Sequence, residues 1–203
     1  VNEGRRMREE NKAMIITGLR KRGYSINSIN DLMRMSSKER DLIPFLIGLL
    51  EQFTDENDKE FIVRCLGVKG FQEIIPKLLE EFKTAKGNSY RWAIANSINI
   101  IHDMTIEQEL ITLSENKKYG TGRQMLVLSL GCYKTDSSIK CLRGLLQDEE
   151  VRGHALRALG KCGNAEVLPD IEKYCDSDNR WIRKEALNAA DKIRRRENDY
   201  GLI

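Results

Sequence analysis

A chain of 203 residues, 40% hydrophobic and 32% charged, has the composition of one folded domain or a short run of repeats and excludes a disordered polymer. Three prolines and 6% aromatic residues leave too few β-formers to predict a sheet. A net charge of +3 does not mark a nucleic-acid binder by itself, so a basic partner surface must come from segregation of charge.

The opening, VNEGRRMREENKAMIITGLRKRG, has arginines but no long apolar stretch and no small-residue cleavage site, so no export signal is expected. Helical segments are predicted near 5–22 and 28–36, within an N-terminal cap of residues 1–40. Beyond it, the prolines share one setting, in Ile43-Pro44-Phe45-Leu46, Ile75-Pro76-Lys77-Leu78 and Leu168-Pro169-Asp170-Ile171. Their separations of 32 and 93 residues equal one and about three periods of a helix-hairpin repeat. Gln108 and Lys140 fall at the interpolated places. Each position opens an amphipathic stretch with apolar residues at i, i+3, i+4 and i+7. These stretches, the A helices, are predicted at 41–53, 72–83, 105–116, 137–147 and 165–175.

A B helix is predicted after each A helix. Aligning Leu66-Gly67, Leu130-Gly131 and Leu159-Gly160 puts Lys59, Arg91, Arg123, Arg152 and Arg183 in one column. Three and seven places on lie Ile62 and Leu66, Ile94 and Ile98, Leu126 and Leu130, Ala155 and Leu159, Ala186 and Ala190. That spacing stacks them on one helix face as a buried seam. Polar and glycine runs at 84–88, 120–122 and 163–164 read as turns. The expected architecture is all-α, five hairpins over 41–196 in a right-handed superhelix, with 197–203 as a C-terminal tail.

Residues 151–193, VRGHALRALGKCGNAEVLPDIEKYCDSDNRWIRKEALNAADKI, resemble short bacterial HEAT repeats of the type first described in phycobilisome lyases. Their consensus reads V-R-x-x-A-x-x-A-L-G-x-I-G, then x-x-x-x-P-x-L, then D-x-x-x-x-V-R. The likeness is specific in the last two repeats and looser upstream, where Lys59 and Tyr90-Arg91 replace Val-Arg. It implies an armadillo-like α-solenoid whose B helices line a concave surface. It further implies that the basic column pairs with acidic residues ahead of each B helix, here Asp55, Asp148 and Asp178, in a ladder between repeats.

Charge divides by helix type. Glu51, Glu73, Glu80, Glu81, Glu107, Glu109, Glu115, Glu166, Asp170 and Glu172 lie on the A helices, whereas on the B helices the lysines and arginines, among them Arg64, Arg91, Arg180, Lys192 and Arg194 to Arg196, outnumber the acids. The expected partner-binding set is therefore Arg123, Arg152, Arg157, Lys161, Arg183 and Lys184. Trp92 and Trp181 join it because each adjoins the column and an aromatic beside arginines suits anionic or aromatic groups. Both the ladder and core packing of the tryptophans stand as structural readings of the same residues. His102-Asp103 has the form of a base and its orienting acid, yet no nucleophile accompanies it, and a helix-end role suits it. His102 and His154, the two histidines, form no zinc spacing, and no phosphate-cradling glycine motif occurs. No catalytic residue, metal or cofactor is expected.

Cys65, Cys132, Cys141, Cys162 and Cys175 are odd in number and lack a C-x-x-C pair, which predicts free thiols in the cytoplasm. No apolar run is long enough to span a membrane. The leading expectation is a non-catalytic scaffold or adaptor for an acidic protein partner. Second is a nucleic-acid-binding relative of the HEAT-like alkylpurine DNA glycosylases, suggested by Ser177 to Arg183, although their Trp-Trp-Asp motif is missing. A bilin lyase-like accessory protein is third, since fold resemblance does not carry chemistry.

Overall fold

The computed structural model describes residues 7–199, and every regular element among them is helical. The first two residues of the predicted 5–22 helix and the last four of the tail lie outside that range. The chain divides into two compact units between Asp103 and Met104.

In the first unit, helix α1 (Glu9–Arg20) and two 3-10 segments (Ile29–Arg34 and Ser37–Leu42) precede two hairpins. These pair α2 (Ile43–Gln52) with α3 (Glu56–Leu66), and α4 (Ile75–Thr84) with α5 (Asn88–Ile101); α3 also packs on α5. Pro44 and Pro76 sit in the first turn of α2 and α4, where the missing N–H costs nothing because that turn has no acceptor for it. Ser28 and Ser36 open the 3-10 segments as capping boxes, with Asp31 and Glu39 accepting from the cap backbone. Those backbone hydrogen bonds hold both carboxyls below the ordinary carboxylate range.

The N-terminal helix is attached through both apolar and polar contacts. Ile15 and Leu19 are fully buried. Asp58, on α3 and only 1% exposed, accepts from Arg8 N at 3.0 Å, Arg8 Nε at 2.7 Å and Asn11 Nδ2 at 2.6 Å.

The second unit holds three hairpins. They are α6 (Glu107–Glu115) with α7 (Gln124–Leu130), α8 (Asp136–Leu145) with α9 (Arg152–Cys162), and α10 (Leu168–Glu172) with α11 (Arg180–Asp199). The B helices α7, α9 and α11 pack side by side in that order, and α6 packs on α8. The predicted seam is the core: Leu126, Leu130, Ala155, Leu159 and Ala186 are fully buried and Ala190 nearly so. Full burial of a leucine contributes on the order of 1.5–3 kcal/mol. The Leu-Gly pairs have a packing reason: a Cβ on Gly131 would lie 2.8 Å from the Ala158 carbonyl, and one on Gly160 2.9 Å from Ala189 Cα. Glycine lets successive B helices approach backbone to backbone.

One register differs from the expectation. Pro44, Pro76, Gln108 and Pro169 are each the second residue of their helix, but Lys140 is the fifth of α8, and Ser137 holds the equivalent place. The third repeat is shortened because α7 runs only seven residues and the chain turns back at Lys134, in the left-handed region with φ 57°.

Candidate partner-binding face

The basic column lies where each B helix begins, and its side chains reach back to the carbonyls that end the preceding A helix. Arg91 donates to the Ala85 and Lys86 carbonyls, Arg152 Nε to Leu146 O at 2.8 Å, and Arg183 to Ser177 O. Carbonyls at a helix C-terminus lack intrahelical partners and favour a positive charge, so Arg91 and Arg152 act as C-caps supplied by the next helix, whereas Ser177 lies in the loop beyond α10. Lys59 instead meets the carboxylate of Glu81 at 3.0 Å. Of the expected ladder, one rung is present. Asp55 accepts from Asn57 N as the N-cap of α3, and Asp148 pairs with Arg123 of the preceding repeat.

Arg123 is removed from the expected binding set, because its side chain has no exposed surface. Its Nε donates to Gly120 O at 3.0 Å, Nη1 to Ser114 O at 3.0 Å, and Nη2 to Asp148 and Glu150 at 2.8 and 3.0 Å. Burial alone would raise the Asp148 carboxyl, but the Arg123 bond and charge outweigh it and hold the group below its usual range. A further cap gave no signal in the repeat pattern. Arg196 donates to the carbonyls of Gly160, Lys161 and Gly163, closing the end of α9.

Of the other cations in the set, Arg152 and Arg183 are held by the carbonyls named above, and the rest lie on exposed positions of α9 and α11. Arg157, Lys161 and Lys184 are exposed, as is Lys192 beside them, and none is held in an ion pair among the described residues. Gly153 abuts Trp181 and Gly160 abuts Ala189 and Lys192, so the two helices run parallel. That register brings Arg157 level with the turn that carries Lys184. The helical rise separates Arg157 from Lys161 by about 6 Å and Lys184 from Lys192 by about 12 Å. Several acids on the A helices are bonded within the chain. Asp170 is bridged by Arg143 at 2.7 Å and Lys173 at 2.9 Å, Glu172 by Arg194, and Glu107 accepts from Ser138 Oγ at 2.6 Å. The outer stripe of α9 and α11 therefore keeps uncompensated positive charge.

The tryptophans occupy different environments. Trp92 is half-buried in the first unit, its ring 5.7 Å from the Arg64 guanidinium, which is also bonded to Glu60. Trp181 is 45% exposed and meets His154 edge-on, ring centroids 5.4 Å apart. Asn179 Oδ1 fixes that turn by accepting from Trp181 N and Ile182 N at 3.0 and 3.2 Å. Burial, with a smaller contribution from Arg157, pushes the His154 imidazole down to about 4, so it is neutral at pH 7.

His102 ends α5 in the left-handed conformation, φ 61°, its N–H donating to Ile98 O at 3.1 Å, which is the helix-end role. In the first unit a cleft of about 430 Å³ is lined by Met7, Asn30, Asn57 and Phe61, with Lys12 and Arg64 already paired to Glu9 and Glu60. Among the described residues no cluster of three metal-ligating side chains occurs, and no helix is long and apolar enough to cross a membrane.

Stacked hairpins with an aligned apolar seam, a glycine contact between successive B helices and one basic position per repeat define the second unit. Residues 107–192 match the family of HEAT repeats. This stretch is similar to HEAT repeats. The match runs from the start of α6 into α11, so the HEAT segment contains Trp181, His154 and the exposed cations Arg157, Lys161 and Lys184. No curated protein matches the chain.

Proposed function

We propose that this HEAT-repeat protein is a non-catalytic interaction module that takes an acidic segment of a protein partner on the outer face of α9 and α11. The observation carrying the reading is the exposed charge of Arg157, Lys161, Lys184 and Lys192, none of them in an ion pair among the described residues, while Asp170 and Glu172 on α10 are ion-paired and Glu107 on α6 is hydrogen-bonded within the chain. Such a face speeds the encounter with an acidic partner and rejects basic ones. HEAT repeats generally serve macromolecular binding, and stacked repeats display long surfaces suited to it. The likeness of residues 151–193 to the short bacterial repeats of phycobilisome lyases is part of the same proposal. So is a cytoplasmic location, supported by five unpaired thiols.

Photo-crosslinking tests the face. A benzoylphenylalanine at position 157 or 184 should capture one acidic protein from native lysate, at low salt only, and the same label at Gln108 on α6 should not. Capture confined to position 108 contradicts the assignment. A nuclease-sensitive product at 157 and 184 replaces the protein partner with nucleic acid.

A further inference from the structure

The charged stripe has an aromatic end. Trp181 is among the few large apolar side chains left exposed in the second unit, and it stands one helical turn from Lys184 and next to His154, which precedes Arg157 by one turn. The ring does not hang free. It lies over Gly153, where a Cβ would come within 2.1 Å of it, and its backbone is fixed by the Asn179 cap. Beside it is an imidazole whose Nδ1 is buried and without a hydrogen-bond partner. A rigid, half-exposed tryptophan beside arginine and lysine has the make-up of the aromatic anchors that dominate interface energetics. A neutral imidazole leaves the immediate surface of that anchor uncharged, which suits an apolar side chain better than a carboxylate.

We propose that Trp181 and His154 form a seat for an apolar side chain carried within the partner's acidic segment, with Arg157 and Lys184, side by side one turn farther along the face, receiving carboxylates that follow on that side of it. This rests on the acidic-partner reading and adds a selectivity to it. Charge brings the segment to the face, and the seat distinguishes one acidic sequence from another. Each cation stands one helical turn from its half of the seat, which fixes the spacing. Both cations lie on the same side of the seat, so carboxylates on that side of the apolar residue meet them when it rests on the indole.

Two fluorescein-labelled peptides of about sixteen residues test the seat. One is built of Glu, Ser and Gly; the other is identical except for a single central leucine. Burying one leucine should make the second peptide bind about tenfold more tightly to the full chain at low salt. Trp181→Ala should bring the two peptides to within about twofold of each other without abolishing either, and Trp181→Phe should keep part of the preference. Gly153→Ala, which displaces the ring while keeping it, should also reduce the preference, with the helical circular dichroism signal confirming the fold. In a Trp92→Phe background the emission of Trp181 should shift to the blue on adding the leucine peptide.

Equal binding of the two peptides by the wild-type chain overturns the seat and leaves the acidic-partner reading standing. A leucine preference that survives Trp181→Ala overturns the seat in the same way. Failure of both peptides to bind overturns the acidic-partner reading and the seat with it. Tight binding of oligothymidylate in their place, with a steep salt slope, assigns the face to nucleic acid.

Discussion

Replacing Arg123 should damage this protein far more than replacing any other member of the basic column. Its fully buried guanidinium serves four acceptors on three sides: the Gly120 and Ser114 carbonyls, Asp148 and Glu150. Arg123→Met keeps much of the side-chain volume but leaves two carbonyls and a nearly buried carboxylate without their donor. Breaking a buried ion pair on one side costs about 3–5 kcal/mol, and for a chain of this size each kcal/mol lowers the melting temperature by about 2–4 °C. A loss of roughly 10 °C in the helical circular dichroism melt is expected. Arg123→Lys should not rescue it, since a single ammonium cannot span the positions that the planar fork reaches. Asp148→Asn keeps the Oδ1 acceptor used by Glu150 N and removes the charge. The Met and Asn changes together should then be less harmful than their sum, by about 1–3 kcal/mol. Arg123→Met melting within a degree of Lys184→Ala would refute the buried-ladder account.

Three other outcomes follow from the same contacts. Leu159→Ala should cost about 2–5 kcal/mol as a truncation in the sealed seam, whereas Arg152→Ala, which loses one cap bond and its stacking on Tyr174, should cost about 1 kcal/mol; urea midpoints in the reverse order would misplace the core. Because His154 is held near 4 when folded and titrates near 6.5 when unfolded, its contribution is complete above about pH 6.5 and is lost as pH falls from there to about 4, at most about 3 kcal/mol in all. His154→Gln should flatten that limb of the stability profile, and an unchanged slope would show that another group carries it. Thiol titration of denatured, unreduced protein should find all five cysteines, with the buried Cys65 and Cys141, both pushed up to about 12, reacting only after unfolding; recovery of three would reveal a disulfide.

The helix hairpins were legible because the periodicity that signals them is the packing itself. Ile62, Leu66, Leu130 and Leu159 recur at the spacing of one helix face, and that face is sealed in the structure. The prolines marked first turns for a backbone reason, and so fell where expected. What could not be read depends on which distant group comes to rest nearby. The column position was visible, but its use as a cap for the preceding helix requires knowing where that helix ends against it. Asp58 looks like an ordinary solvated position of α3 until the N-terminal segment folds over it. Arg196 sits in a run of three arginines resembling any charged surface, though an α9 ending at Gly163 without a local side-chain cap was a hint that a distant donor closes it. In the candidate site the cations were placed on the B helices by helix type. Separating Arg123 from Arg157 needed the burial that only the assembled hairpins provide.

The central claim is that exposed charge on α9 and α11 recognises an acidic protein. Its most direct measurement is the affinity of the captured partner for wild-type protein and for Arg157→Glu/Lys184→Glu, across a salt series. Neither side chain touches the seam, so the double variant should keep its helical signal and melting temperature while binding falls by at least about a hundredfold, and wild-type affinity should weaken steadily with salt. A double variant that binds the partner as well as wild type does would contradict the account and move recognition to another surface.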